Sequence, residues 1–189
     1  FLQKGMTFYY EIVGFLPNGG AIQKDYDYGC VNPLELWESD FIIKNEGEKE
    51  YLNCYVKGKD NKKSVAIYIY RITSTNVDGK VVEFSAKQVQ DFCKKNGLNA
   101  VPELYYGYAK EFSDERMTKE NWEVKFLDTI KQKYNEKDCY MCSTPQPEEG
   151  VVIRIEGNDF EAYKAKSERF YARETAQLDK GESNIEDEN

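Results

Sequence analysis

The chain has 189 residues, with 26 Lys and Arg against 34 Asp and Glu and a formal net charge of −8. At 40% hydrophobic and 32% charged it has the composition of a globular chain with room for a core, not of a disordered one. It contains no histidine, which excludes Ser-His-Asp and Cys-His catalysis and any zinc site built on imidazole.

In chain order, Thr7 to Phe15 is β-branched and aromatic and stops at Pro17-Asn18-Gly19-Gly20, which predicts a strand and a turn. Residues 21–50 are polar and carry no clear periodicity. Glu50 to Val56 reads as a strand followed by a turn over Lys57 to Asn61. Ser64 to Thr73 reads as a strongly apolar, central strand, turned by Asn76-Val77-Asp78-Gly79 into a strand over Lys80 to Phe84. Ser85-Ala86-Lys87-Gln88 spells a capping box, and Val89, Phe92 and Cys93 fall on one face of the helix that Asn96-Gly97 closes. A second helix is predicted over Lys119 to Tyr134, with Trp122, Phe126, Leu127, Ile130 and Tyr134 as its stripe. Gly150 to Lys166 reads as a hairpin and Glu168 to Leu178 as a final helix. The pattern lacks βαβ alternation and predicts an α+β domain on antiparallel sheets over residues 1–178, with an acidic, frayed tail over 179–189.

The longest apolar run, Val65 to Tyr70, is too short to span a bilayer. Residues Phe1 to Met6 lack a signal-peptide layout and do not begin with Met, so the chain is expected to be a piece of something longer or a processed product. Its five cysteines are odd in number and scattered, which points to a reducing, intracellular (cytoplasmic) compartment. Cys139 and Cys142 are spaced Cys-x-x-Cys, but zinc needs four ligands and no histidine exists to help, so buried structural cysteines are the favoured reading.

The hairpin carries a charge puzzle. Strand side chains repeat every two residues, so Lys164 and Lys166 share a face. If Gly157-Asn158 form a two-residue loop, positions summing to 315 are opposite, with Lys164 across from Val151 and Lys166 across from Glu149. Both lysines would then sit on a face with Val151, Ile153 and Phe160. A solvated Lys–Glu pair is the plain alternative. Two lysines on an apolar face instead call for an anion, naturally a phosphate with a divalent cation on the carboxylate.

These residues carry a resemblance. Glu149-Gly150-Val151-Val152-Ile153-Arg154 followed by Tyr163-Lys164-Ala165-Lys166-Ser167 resembles the fourth and fifth motifs of the covalent nucleotidyltransferases, the superfamily of ATP-dependent DNA ligases, RNA ligases and capping enzymes. Phe8 to Gly14, an aromatic strand ending in Glu11-x-x-Gly14, is similar to the third motif. Ile67 to Ile72 sits where the family has an apolar strand ending in an aromatic residue, although the Asp that usually follows is Arg71 here. The stretch Phe84 to Leu104 looks like the RNA-ligase branch. The resemblance implies a ligase-type adenylation domain that binds ATP and Mg²⁺ or Mn²⁺. In it Glu149 helps hold the metal, Lys164 and Lys166 neutralise the α-phosphate, and Glu11 accepts from a ribose hydroxyl. Tyr70, or Tyr68 in its place, stacks on adenine, and Arg154 touches nucleic-acid or triphosphate oxygens.

The family's nucleophile is the lysine of Lys-x-Asp-Gly or Lys-x-Asn-Gly, ahead of the Glu-x-x-Gly strand. No such tetrapeptide is expected in this chain, whose Glu-x-x-Gly strand begins at the seventh residue. The implied function is an ATP-dependent RNA ligase acting on 5′-phosphate and 3′-hydroxyl RNA ends, its nucleophile absent from this chain. A DNA ligase or a capping nucleotidyltransferase is the alternative within that class, and a non-catalytic nucleotide- or RNA-binding module is the alternative outside it. The acidic balance does not oppose RNA binding, because residues 162–173 hold Lys164, Lys166, Arg169 and Arg173 against Glu168, and local charge decides a binding face.

Overall fold

The computed structural model describes residues 3–36, 63–112, 118–157 and 159–181. The predicted strand over Glu50 to Val56 and the turn after it lie outside them. The described residues form a mixed α+β structure with a three-stranded and a two-stranded antiparallel sheet. They fall into two compact units, Phe1–Ala100 with Met141–Thr144, and Val101–Tyr140 with Pro145–Asn189.

In the first unit, β1 (Met6–Gly14) and β3 (Val81–Glu83) flank β2 (Val65–Thr75), so the most apolar strand is central as its composition predicts. A short helix, α1 (Pro33–Leu36), follows β1. The β1–β2 register slips at one point: Tyr9 is opposite Arg71, yet Tyr10 is opposite Ile69, which leaves Tyr70 as the extra residue of a bulge. The bulge has a packing consequence. Ile69 and Ile72, three residues apart, both turn to the face that carries Met6 and Phe8, and both are buried. Helix α2 (Ala86–Asn96) covers that face with Val89, Phe92 and Cys93. Its start is the predicted capping box: Ser85 accepts from the Gln88 N–H while the Gln88 side chain accepts from the Ser85 N–H. Phe92 meets Phe8 and Phe84 edge-on, at 5.5 and 6.3 Å between ring centres.

In the second unit, α3 (Trp122–Ile130) widens into a single π-helical turn over Lys131–Asn135, followed by the hairpin β4 (Gly150–Ile155) and β5 (Glu161–Lys166) and by α4 (Glu168–Leu178). The stripe predicted on the second helix is narrower than its sequence. Phe126 and Tyr134 pack around the buried Phe112 and Ile130 is buried, but Trp122 and Leu127 are exposed. Asn135, at the end of the π turn, is buried and donates from Nδ2 to the Ala165 carbonyl at 2.9 Å, tying the turn to β5. Among the described residues no helix is long and apolar enough to cross a membrane.

Candidate functional site

The hairpin forms as predicted, but its register differs by one. Gly150 is opposite Lys166, Val152 opposite Lys164 and Arg154 opposite Ala162, and the last pair is Ile155 with Glu161, not the Glu156–Asp159 pair that a two-residue loop requires. Positions summing to 316, not 315, are therefore opposite. A one-residue slip moves every side chain relative to its neighbours' faces. Lys164 and Lys166 consequently share their face with Val152 and Arg154, while Val151 and Ile153 lie on the other with Ala165 and Tyr163. In place of the expected Val151 and Ile153, the lysines have Val152 and a third cation, Arg154, on their face. Close approach fixes this register: Gly150 has φ of +147°, and a Cβ there would lie 2.2 Å from the Ala165 carbonyl oxygen and 2.7 Å from Lys166 Cα.

Each cation of this face meets a carboxylate. Lys164 is ion-paired with Glu149, so Glu149 is joined to Lys164 and not to Lys166. Lys166 pairs with Glu174 of α4 at 3.3 Å, and Arg154 with Glu156 at 3.2 Å. The Lys166 ammonium also lies over the Phe170 and Tyr171 rings, 5.3 and 5.5 Å from their centres, and Arg154 over Phe160 at 5.3 Å. Arg169 pairs with Asp138, and Arg173 donates to the Gln146 side chain.

Ser167 locks the motif residues together. Fully buried, it donates from its hydroxyl to the Glu148 carbonyl at 2.6 Å and from its N–H to the Glu149 carbonyl at 2.9 Å. Its hydroxyl also accepts from the Phe170 N–H at 3.0 Å, capping α4. The segment entering β4 is thus bonded to the residue between β5 and α4. Beside Glu149, the Glu148 carboxyl is pushed above the usual carboxylate range, first by burial and then by the charge of Glu149. The N–H groups of Glu149 and Gly150, which donate to it, oppose the shift.

In the first unit, Glu11 is directly opposite Tyr68, so the two share the sheet face turned away from α2. Tyr9 is on the same face, with the Arg71 guanidinium 4.4 Å from its ring centre and the Tyr70 ring tilted beside it at 6.4 Å. Arg71, the departure from the family pattern, donates from Nε to both Glu83 oxygens at 3.1 Å. Burial pushes the Tyr68 phenol up, with a smaller contribution from Cys30. The glycine of Glu11-x-x-Gly14 has a local reason: its φ is +107°, and a Cβ would lie 2.3 Å from the Ser64 carbonyl oxygen and 2.8 Å from Cys30 Sγ.

Of the residues expected at the site, Glu11, Tyr68 and Tyr70 belong to the first unit and Glu149, Arg154, Lys164 and Lys166 to the second. Against the expectation that the chain lacks the tetrapeptide, one Lys-x-Asn-Gly spelling occurs at Lys94-Lys95-Asn96-Gly97, downstream of the Glu-x-x-Gly strand and so out of family order. It ends α2: Gly97 is the left-handed C-cap, Asn96 donates to the Phe92 carbonyl, and the two lysines lie in the last turn. Cys139 is buried as predicted, whereas Cys142 is only partly so. Among the described residues no three His, Cys, Asp or Glu side chains gather as a metal cage. Comparison with family models, with curated proteins and with solved structures gives no match for this chain.

Sequence reasoning passed over Glu174 and Glu148. Glu174 lies eight residues beyond Lys166 with a helix between, and no local pattern links them. The signal for Ser167 was present, as a serine directly ahead of a helix start.

Proposed function

We propose that this chain is most of the ligase-type adenylyltransferase domain of an ATP-dependent RNA ligase, which seals 5′-phosphate and 3′-hydroxyl RNA ends through lysyl-AMP and an adenylylated RNA end. The observation that carries this reading is the hairpin face on which Arg154, Lys164 and Lys166 stand together with Glu149 attached to Lys164. Three cations on one hairpin face offer partners to phosphate oxygens, and guanidinium and ammonium groups are the usual anion partners. In the proposed reaction a lysine amine attacks the ATP α-phosphorus, a P–N bond forms, and the bond to pyrophosphate breaks. Lys164 and Lys166 offset the charge that develops on the α-phosphate oxygens. Glu149 would help hold a Mg²⁺ or Mn²⁺, which would supply positive charge for the phosphates, since such ions are commonly bound through one or two carboxylates. Glu11 accepts from a ribose hydroxyl, and Tyr70 or Tyr68 stacks on adenine.

A second reading is favoured by the same ion pairs: a nucleotide- or RNA-binding module without catalysis, its lysines already matched by Glu149 and Glu174. Intact mass after incubation with ATP and Mg²⁺ separates the two. A gain of one AMP on the full gene product, with none on the 189-residue chain, supports the ligase. No gain on either removes the ligase reading in favour of the module. A gain on the chain that Lys94→Ala abolishes would overturn the assignment of Lys94 to Gly97 as a helix stop alone.

A further inference from the structure

We propose that helix α4 is a built-in competitor for the Lys166 ammonium: the Glu174 carboxylate takes the place on Lys166 that a phosphate oxygen would otherwise occupy, so anions bind the hairpin by opening the Lys166–Glu174 pair. The inference rests on the hairpin face being a phosphate site and adds a regulation of that site. Of the three carboxylates on the face, Glu149 precedes β4 and Glu156 follows it, so both belong to the hairpin itself. Glu174 alone is delivered by another element, from the second turn of α4. The pair is substantially shielded, with 18% of the Lys166 side chain and 13% of the Glu174 side chain exposed. An anion arriving from water must therefore replace a partner that is already desolvated.

The ring contacts explain how such an exchange leaves the fold intact. Phe170 is buried at the first turn of α4, whose N-cap Ser167 is bonded to residues 148 and 149. The Lys166 ammonium rests over this fixed ring whichever anion it holds. Glu174 can rotate away about its own side-chain bonds with the helix backbone unchanged. Phe170 is then a positioning residue for Lys166, and Glu174 its competitor.

The test is calorimetric titration of the chain with inorganic tripolyphosphate in low salt, comparing wild type, Glu174→Gln, Lys166→Gln and the double variant. The expected result is binding about tenfold tighter for Glu174→Gln, and a double variant no tighter than Lys166→Gln alone. A purely structural role for Glu174 predicts equal or weaker binding, and that result overturns the proposal. So does a gain that persists without Lys166, or an absence of binding in both wild type and Glu174→Gln. Should Glu174→Gln fail to fold, Glu174→Asp keeps the charge but shortens its reach and is expected to tighten binding in the same Lys166-dependent way. AMP transfer distinguishes the two levels. Its absence with the tripolyphosphate gain intact retires the ligase alone, and its presence with no effect of Glu174 retires the competition alone.

Discussion

The two lysines of the hairpin are equivalent in the proposed chemistry and unequal in the fold, which makes them separable by experiment. The Lys164 side chain is 48% exposed and its partner Glu149 is 21% exposed. An ion pair whose ammonium is so open to water contributes at most about 1 kcal/mol, and the Glu149 carboxylate left behind by Lys164→Ala still reaches solvent. Lys166 and Glu174 are exposed by only 18% and 13%. Deleting a fully buried partner costs about 3–5 kcal/mol, and discounting for the remaining exposure brings Lys166→Ala to about 2–3 kcal/mol, including its lost ring contacts. At this chain length about 1 kcal/mol corresponds to about 2–4 °C, so Lys166→Ala should lower the melting temperature by about 5–10 °C and Lys164→Ala by less than about 4 °C. Both should weaken ATP binding at least about tenfold, or about 1.4 kcal/mol, measured by titration calorimetry below the melting range. Equal melting losses would refute the exposure argument. Unchanged ATP affinity in either variant would refute the phosphate role and return the lysines to solvated strand positions.

Two further outcomes follow from backbone and burial. Burial raises the Glu148 carboxyl above its ordinary pKa, so the folded state keeps its proton to higher pH than the unfolded chain does. Its stabilising protonation is fully present below the unfolded value and is lost as pH rises through the folded one. Glu148→Gln should accordingly unfold at higher urea than wild type at pH 7, with the difference shrinking toward pH 4.5, and a difference that instead grows on acidification would contradict the burial argument. Gly14→Ala should cost at least about 2 kcal/mol, because alanine is strained at positive φ and its Cβ would strike the Ser64 carbonyl. A wild-type urea midpoint for that variant would show that the glycine of Glu11-x-x-Gly14 is not held by local geometry.

Much of the secondary structure was legible because it rests on local chemistry. Ser85 and Gln88 cap α2 through bonds spanning three residues, and Ser167 opens a final helix whose predicted limits, Glu168 and Leu178, are those observed. Alternation placed Lys164 and Lys166 on one strand face irrespective of register, because the period of two is a property of the strand alone. The hairpin's turn length was misread because Gly157-Asn158 spells a two-residue turn, whereas the close approach of Gly150 to the backbone at Ala165 and Lys166 selects a different pairing.

The sequence by itself determined the order of most strands and helices among the described residues (α1 aside), the central place of the apolar strand read over Ser64 to Thr73, the exclusion of imidazole chemistry and the common face of two lysines. These follow from propensity, capping and periodicity, which act over a few residues. Only the tertiary structure decided that Arg154 joins the lysines, that Tyr70 occupies a bulge bringing Ile69 and Ile72 to one face, and that Glu149 belongs to Lys164 while Glu174 belongs to Lys166. Register and ion pairing are settled by contacts between segments distant in the chain, where a shift of one residue reverses a face and a neighbouring helix can supply the countercharge.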